Sequence, residues 1–277
     1  MNLSLWLLAF AAGFYALAFL FHMLSFSSLQ EEGHKPAFVF MRIGFLIATF
    51  YFAAAAIENG FFLPVANLSQ AMAFFAWSLA FVYLVLLVKA QSESFGLILT
   101  PILLLLTVVA FVSRVFGTSP MPPKPVLLNP YFTLHIATAF FAYASFTISF
   151  AAGVLYLIQY AELKAKRAGK FYHKLTSLED LERLIYQPML WGAPLLGVAA
   201  GIGFLWSKSV FGEFWIFDPK TIATGVTALL YIVILYLRYV SSMRGKQGAV
   251  LSLIAFALVL FSFVGTRLIP GSHNYLQ

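Results

Sequence analysis

The chain contains no cysteine and few charged residues, and each shortage excludes whole classes of protein. Without cysteine, its 277 residues cannot form a disulfide, a thiolate metal site or the CxxCH attachment of a c-type haem. Charged residues make up 10% of the chain, whereas a soluble domain carries about 25%. A water-soluble enzyme and a disordered chain are therefore both excluded. Any metal or haem that this chain binds must be ligated by histidine, of which there are five.

Apolar residues dominate what is present. The chain is 62% hydrophobic and 18% aromatic, with a mean hydropathy of +0.90. A membrane-spanning helix needs about 20 mostly apolar residues. We expect an all-α, polytopic transmembrane helical bundle of about eight spans, in which residues 1–277 form a single integral membrane domain surrounded by lipid. The eight predicted spans are Leu3–Leu24, Phe38–Ile57, Ala71–Ala90, Phe95–Phe116, Tyr131–Tyr160, Met189–Trp206, Thr221–Val240 and Ala249–Leu268.

The distribution of Lys and Arg predicts the orientation in the membrane. With these spans, 12 of the 17 basic residues lie on one side and 5 on the other. The positive-inside rule assigns the richer side to the cytoplasm, so both termini are expected to be external. The net charge of +7 has the same explanation, and it does not indicate a nucleic-acid partner.

The longest predicted cytoplasmic connection is Ala161–Gln187. Within it, Ser177 is followed three residues later by Asp180, which is an acidic variant of the helix capping box. The mixed apolar and charged run that follows predicts a short amphipathic helix on the inner membrane face.

Two histidines fall on the external side. His135 starts the fifth span and His273 lies in the tail, and the aromatic loop Trp206–Lys220 lies between them in sequence. Neutral imidazoles can ligate haem iron axially, and aromatic side chains can pack on the flat porphyrin. The alternative is that these aromatic residues form an interfacial belt, which is common in membrane proteins.

The other three histidines lie towards the cytoplasm. His22 is inside the first span, where an ionisable side chain is costly and indicates function by default. Its alternative is a hydrogen bond to a neighbouring helix. His34 and His173 are expected to be solvated loop residues.

The aromatic loop resembles a known motif. Its residues are Gly212-Glu213-Phe214-Trp215-Ile216-Phe217-Asp218-Pro219-Lys220-Thr221. They resemble the tryptophan-rich "WWD" signature of the cytochrome c assembly family (CcsA/ResC and HemX-like proteins), approximately G-x-x-W-x-W-D-P-K-E. Phe217 replaces the second tryptophan of the motif, and Thr221 replaces its glutamate.

Three further stretches resemble the same family, so that the resemblance covers the chain from His22 onward. They are Asn67–Trp77, His135–Ala144 and Gly271–Tyr275.

The resemblance implies an external haem site with His135 and His273 as axial ligands of the iron. It implies that aromatic and acidic side chains form the platform between them: Trp206, Trp215, Phe217 and Asp218. It also implies two histidines inside the membrane that receive haem from the cytoplasm. His22 matches the first, whereas Tyr236 stands where the second would be.

What the resemblance implies about function is haem delivery in c-type cytochrome biogenesis at a bacterial inner membrane. The substrate is haem b, the recipient is apocytochrome c, and the partner is a second membrane protein with a large external domain. The chain would be at most a subunit of a cytochrome c synthetase (haem lyase). One alternative is a HemX-like regulator of tetrapyrrole synthesis. Another is a transporter with helices broken near Pro101, Pro188 and Pro194.

Overall fold

A computed structural model describes residues 2–27, 34–60, 63, 65, 67–86, 93–117, 129–165, 175–214 and 219–263. These residues form eight α-helices, and they contain no strand. Each helix is long and apolar enough to cross a membrane, which confirms the predicted all-helical, eight-span, multi-pass membrane protein. The helices are α1 (Leu3–Ser27), α2 (His34–Asn59), α3 (Leu68–Leu86), α4 (Glu93–Phe116), α5 (Pro130–Lys164), α6 (Leu178–Phe211), α7 (Pro219–Tyr239) and α8 (Lys246–Phe263).

The helices fall into two compact units. The N-terminal unit comprises Met1–Pro122 with Glu162–Thr176, and it contains α1 to α4. The C-terminal unit comprises Pro123–Ala161 with Ser177–Gln277, and it contains α5 to α8 apart from the last turn of α5. That all 277 residues form one integral membrane domain stays a prediction.

In the N-terminal unit, α1 packs through a single stripe against α2 and α4. Its buried positions alternate in steps of four and three residues, which is the spacing of a coiled-coil seam. They are Ser4, Leu8, Ala11, Tyr15, Ala18, His22 and Ser25. This register turns His22 towards the other helices of the unit.

Glu58 joins three helices at the opposite end of this unit. Its carboxylate accepts a hydrogen bond from the backbone N–H of Ser4 at 3.0 Å and another from the Ser4 hydroxyl. The Arg114 guanidinium lies 3.9 Å from the same carboxylate. An acidic group at the first turn of α1 also complements the helix dipole. The end of α1 is thereby tied to α2 and α4.

In the C-terminal unit, α5 contacts α6, α7 and α8. Phe146 of α5 stacks on Tyr231 of α7, with 3.6 Å between the ring centroids. A Cβ at Gly192 of α6 would lie 2.7 Å from the same Phe146 ring, so the glycine gives the ring its space. A Cβ at Gly153 of α5 would likewise overlap the Ser252 side chain of α8.

The region after Ser177 differs from the prediction of a separate surface helix. Ser177 does cap a helix, since its hydroxyl accepts a hydrogen bond from the Asp180 N–H at 3.1 Å. The helix then continues through Pro188 and Pro194 to Phe211. Helix nucleation is unfavourable, whereas extension of an existing helix is not. A short amphipathic segment beside a spanning helix therefore costs less free energy as an extension of that helix than as a separate helix. The prolines leave the described helices unbroken, and Pro101 likewise lies within α4.

Candidate functional site

His135 is held on α5 by a hydrogen bond to α6. Its Nδ1 lies 2.7 Å from the carbonyl oxygen of Ala199. A carbonyl oxygen only accepts, so Nδ1 carries the hydrogen and Nε2 of the neutral ring keeps its lone pair. A backbone carbonyl that holds one ring nitrogen is the usual support for a histidine whose other nitrogen binds a metal.

A glycine of α6 makes this position possible. A Cβ at Gly203 would lie 2.8 Å from His135 Nδ1 and 2.9 Å from Cε1. Atoms that close would overlap, so any larger residue would push the ring away from the Ala199 carbonyl.

A small pocket of about 40 Å³ opens beside His135 within the C-terminal unit. Its walls are mostly apolar, with one cation, Lys220, and two hydroxyl groups, from Tyr143 and Thr224. The lining residues are His135, Ile136, Ala139, Phe140, Tyr143, Leu196, Ala199, Ala200, Lys220, Thr224 and Phe263.

The hydroxyl groups at this pocket are bonded to each other. The Thr224 Oγ1 and Ser262 Oγ atoms are 3.0 Å apart, and the Tyr143 hydroxyl hydrogen-bonds to both residues. The network connects α5, α7 and α8, and it fixes one wall of the pocket.

The two ends of the aromatic motif are part of the described structure. Gly212 ends α6 with φ of 77°, a left-handed conformation that glycine adopts without strain, and its N–H donates to the Lys208 carbonyl at 3.0 Å. Pro219 begins α7, two residues before the predicted span, at the first helical position that proline favours. The motif is thus the connection from α6 to α7.

The remaining predicted residues of the external site have different outcomes. Trp206 is buried in α6, with its ring 5.2 Å from Phe132 and 5.9 Å from Phe211, and it is not part of the pocket lining. The other four lie outside the described residues: Trp215, Phe217, Asp218 and His273.

His22 lies in the N-terminal unit and is completely buried. Its ring meets Phe38 of α2 edge-on, with 5.3 Å between the centroids. A Cβ at Gly96 of α4 would overlap the His22 ring at Nε2 and Cε1. His22 is therefore seated against a glycine of a neighbouring helix, as His135 is in the other unit.

The end of α7 carries Tyr236 and Arg238, whose surroundings the structure shows. Tyr236, which stands where the family has its second intramembrane histidine, is 60% exposed. Arg238 lies 3.0 Å from Glu182 of α6 and 4.8 Å from the centre of the Tyr186 ring. The ion pair is partly buried, with side chains 22% and 18% exposed, and the Tyr186 ring covers the guanidinium.

Sequence reasoning missed Gly96, Gly203 and the position of Lys220. The glycines carry no functional group, and only the packing of two helices shows that each receives a histidine ring. Lys220 was visible as a residue of the motif, but its place in the His135 pocket depends on how α7 packs against α5.

Known proteins resemble this chain over most of its length. The family described as Cytochrome C assembly protein matches residues 65–273. Protein HemX of Bacillus subtilis (strain 168) is 29% identical over 255 residues, which cover 90% of each chain. The cytochrome c biogenesis protein CcsA of Porphyra purpurea is 24% identical over 254 residues, or 78% of this chain and 79% of that one. The solved structure of the cytochrome c haem lyase CcmF superposes with a TM-score of 0.69 at 17% identity, which shows a shared fold. That match covers 98% of this chain, which spans 48% of CcmF.

Proposed function

Because the chain belongs to the cytochrome c assembly protein family, we propose that it binds haem b as a substrate and presents it to apocytochrome c. The site of presentation is the pocket beside His135, on the external side of a bacterial inner membrane. The partner is a second assembly protein of the membrane with a large external domain.

The hydrogen bond from His135 to the Ala199 carbonyl carries the proposal. It leaves Nε2 as the nitrogen with a free lone pair, in a ring whose position is fixed from behind by Gly203. An imidazole prepared in this way suits haem iron.

The chemistry of the pocket lining suits the edge of a haem molecule. Its apolar walls suit the face of a porphyrin, and the single Lys220 cation suits a carboxylate of the propionate side chains. We propose His273 as the second axial ligand, with Trp215, Phe217 and Asp218 beside it, on the strength of the sequence motif. We include Trp206 in this platform from the same resemblance, and its ring contacts Phe132, which lies one turn before His135 on α5.

The residues of this chain position haem and do not form its covalent bonds. Haem supplies vinyl groups to which the thiols of apocytochrome c add, and this chain has no thiol of its own. Its histidines would hold the iron, the apolar walls would exclude water, and Lys220 would pair with a propionate carboxylate.

A regulator of tetrapyrrole synthesis is the second candidate function. The similarity to Protein HemX favours this function, because it covers 90% of both chains, whereas the similarity to CcsA covers 78% of this chain and 79% of that one. A regulator would act through an exposed charged surface such as the first turns of α6, where Glu179 and Arg183 form an exposed pair.

One experiment separates the two functions. The protein is purified in detergent and its Soret absorbance is recorded for the wild type and for His135→Ala. Haem bound by the wild type and diminished in the variant supports haem presentation. Absence of haem from the wild type, together with normal cytochrome c in a deletion strain, supports the regulator.

A further inference from the structure

The connection from α7 to α8 is a tight turn that side chains of α6 and α7 fix in place. The Met243 N–H donates to the Leu237 carbonyl at 3.1 Å, so the chain folds back on the last turn of α7. The Met243 carbonyl accepts hydrogen bonds from the Tyr186 hydroxyl at 3.3 Å and from the Arg238 guanidinium at 3.5 Å. Because the turn is held at both its N–H and its carbonyl, the residues that follow Met243 have a defined position.

Two glycines let the start of α8 approach buried tyrosines of the same unit. A Cβ at Gly245 would lie 2.9 Å from the Tyr156 hydroxyl, and a Cβ at Gly248 would overlap the Tyr186 hydroxyl. Gly245 also has φ of 67°, a left-handed conformation that glycine adopts without strain. The start of α8 is therefore packed closely on α5 and α6.

Two cations of this turn are exposed. They are Arg244 and Lys246, and the Lys246 ammonium lies 5.9 Å from the centre of the Tyr160 ring on α5. The third cation of the region, Arg238, is paired with Glu182 at 3.0 Å. An anion that approaches from outside the protein therefore meets the charges of Arg244 and Lys246.

The adjoining surface of α7 is aromatic and apolar. Tyr236 is 60% exposed, Tyr239 is 61% exposed and Val240 is 63% exposed. Tyrosine on the outer surface of a spanning helix is typical of the headgroup level of a bilayer, where its ring lies in lipid and its hydroxyl meets water. Arg244 and Lys246 therefore lie near the depth of the lipid phosphates, beside a surface that acyl chains can cover.

We propose that Arg244 and Lys246 bind the phosphate of an anionic phospholipid, whose acyl chains lie along the exposed face of α7. Basic residues beside the end of a spanning helix attract anionic lipids, and cations form charge-assisted hydrogen bonds with phosphate oxygens. A zwitterionic lipid would bring its own ammonium group to the same two cations, so a headgroup such as phosphatidylglycerol is favoured. Tyr236 then contacts lipid and not an iron atom.

A lipid titration of the purified protein in detergent tests the site. Dioleoyl phosphatidylglycerol is expected to raise the Tm, because a ligand of the folded state stabilises that state. Dioleoyl phosphatidylcholine, which has the same acyl chains, is expected to have little effect. The double variant Arg244→Gln/Lys246→Gln should bind phosphatidylglycerol roughly 25-fold more weakly, which is about 5-fold for each cation. Native mass spectrometry, which counts bound lipids directly, should show that this variant retains fewer of them.

Lys208→Gln is the matched control for the loss of charge. Lys208 is also exposed, and its ammonium also lies beside an aromatic ring, 4.9 Å from the centre of Phe214. It is near the end of α6, whereas Tyr186 is near the beginning. The response to phosphatidylglycerol should therefore be unchanged in this variant. Glycerol phosphate supplies the same phosphate chemistry without acyl chains, and at the same concentration it should leave the Tm of the wild type unchanged.

Three results would overturn the inference. Phosphatidylcholine could raise the Tm as much as phosphatidylglycerol, which would indicate ordinary solvation by lipid. Glycerol phosphate could raise the Tm equally, which would indicate a site for free phosphate. Lys208→Gln could weaken the response as much as the double variant, which would indicate a general effect of net charge. None of these measurements involves haem, so their outcome is independent of the proposed function.

Discussion

The ring of His135 occupies the space that a side chain at Gly203 would need, since a Cβ there would lie 2.8 Å from Nδ1. The ligand nitrogen of the proposed site is therefore aimed by two features of α6, a carbonyl at Ala199 and a missing side chain one turn later. The function of α6 at the site is to orient His135.

Gly203→Ala is predicted to weaken haem binding while the protein stays folded. The added methyl group displaces the His135 ring and lengthens its hydrogen bond to Ala199, and the loss of such a supporting contact costs about 10- to 100-fold in affinity at metal sites. Haem titration in detergent measures the effect. Gly201→Ala is the matched control, because a Cβ there meets nothing within 4 Å. Equal affinities in the two variants would contradict the role of Gly203.

Gly96→Ala is predicted to destabilise the N-terminal unit. The methyl group overlaps the His22 ring, which is fully buried and backed by Phe38. Overpacking of this kind costs about 1–3 kcal/mol, whereas Ala gains about 1 kcal/mol over Gly in a helix interior. Thermal unfolding should therefore show a lower Tm for Gly96→Ala and a higher one for Gly13→Ala, whose Cβ position is open. A rise in both would show that the His22 ring moves aside freely.

The eight helices could be predicted from the sequence because apolar length alone defines a spanning helix. The helix positions of His22 and His135 followed from the same reasoning, whereas His34, expected in a loop, is the first residue of α2. The direction of a side chain did not follow from it, because neighbours on other helices decide it. Tyr236 and Tyr231 show the difference: the sequence places both in the same apolar helix, but only packing shows that the first is exposed and the second is buried.

The ion pair of Arg238 could not be predicted from the sequence either. Its partner Glu182 lies 56 positions away in the chain, and nothing local indicates that α6 extends far enough for the two to meet. The N-cap at Ser177 did indicate a helix start, but the length of the helix depended on Pro188 being accommodated within it.

The Arg238–Glu182 pair is predicted to stabilise the fold more than the Arg183–Glu179 pair. The second pair has the shorter distance, 2.7 Å against 3.0 Å, but its side chains are 68% and 77% exposed, compared with 22% and 18%. Exposed pairs at this spacing contribute about 0.3–0.5 kcal/mol. Loss of one partner from a less solvated pair leaves an uncompensated charge and costs several times more, about 1–3 kcal/mol. Double-mutant cycles of the free energy of unfolding compare the pairs, and a larger coupling for Arg183–Glu179 would refute the prediction.

Ala200→Phe is predicted to block haem binding by filling the pocket beside His135. Ala200 lines the pocket, and a phenyl group there competes with the porphyrin for the same space. Val198→Phe places a phenyl ring on the same helix at a position that is 52% exposed. It therefore controls for the added side-chain volume. The Soret absorbance of the purified proteins should fall for the first variant and stay unchanged for the second. Undiminished haem in Ala200→Phe would place the ligand elsewhere.

Lys220→Gln is predicted to weaken the binding of haem but not of its dimethyl ester. The proposed partner of the ammonium group is a propionate carboxylate, and esterification removes the negative charge while it leaves the porphyrin and the iron unchanged. A charge-assisted hydrogen bond contributes about 1.5–3 kcal/mol, which corresponds to roughly 10- to 150-fold in affinity. Titration of both porphyrins against the wild type and the variant forms a cycle of four affinities. If Lys220 contacts a propionate, the substitution and the esterification are not additive, because each removes the same interaction. Additive losses would show that Lys220 acts on the wall of the pocket and not on the carboxylate.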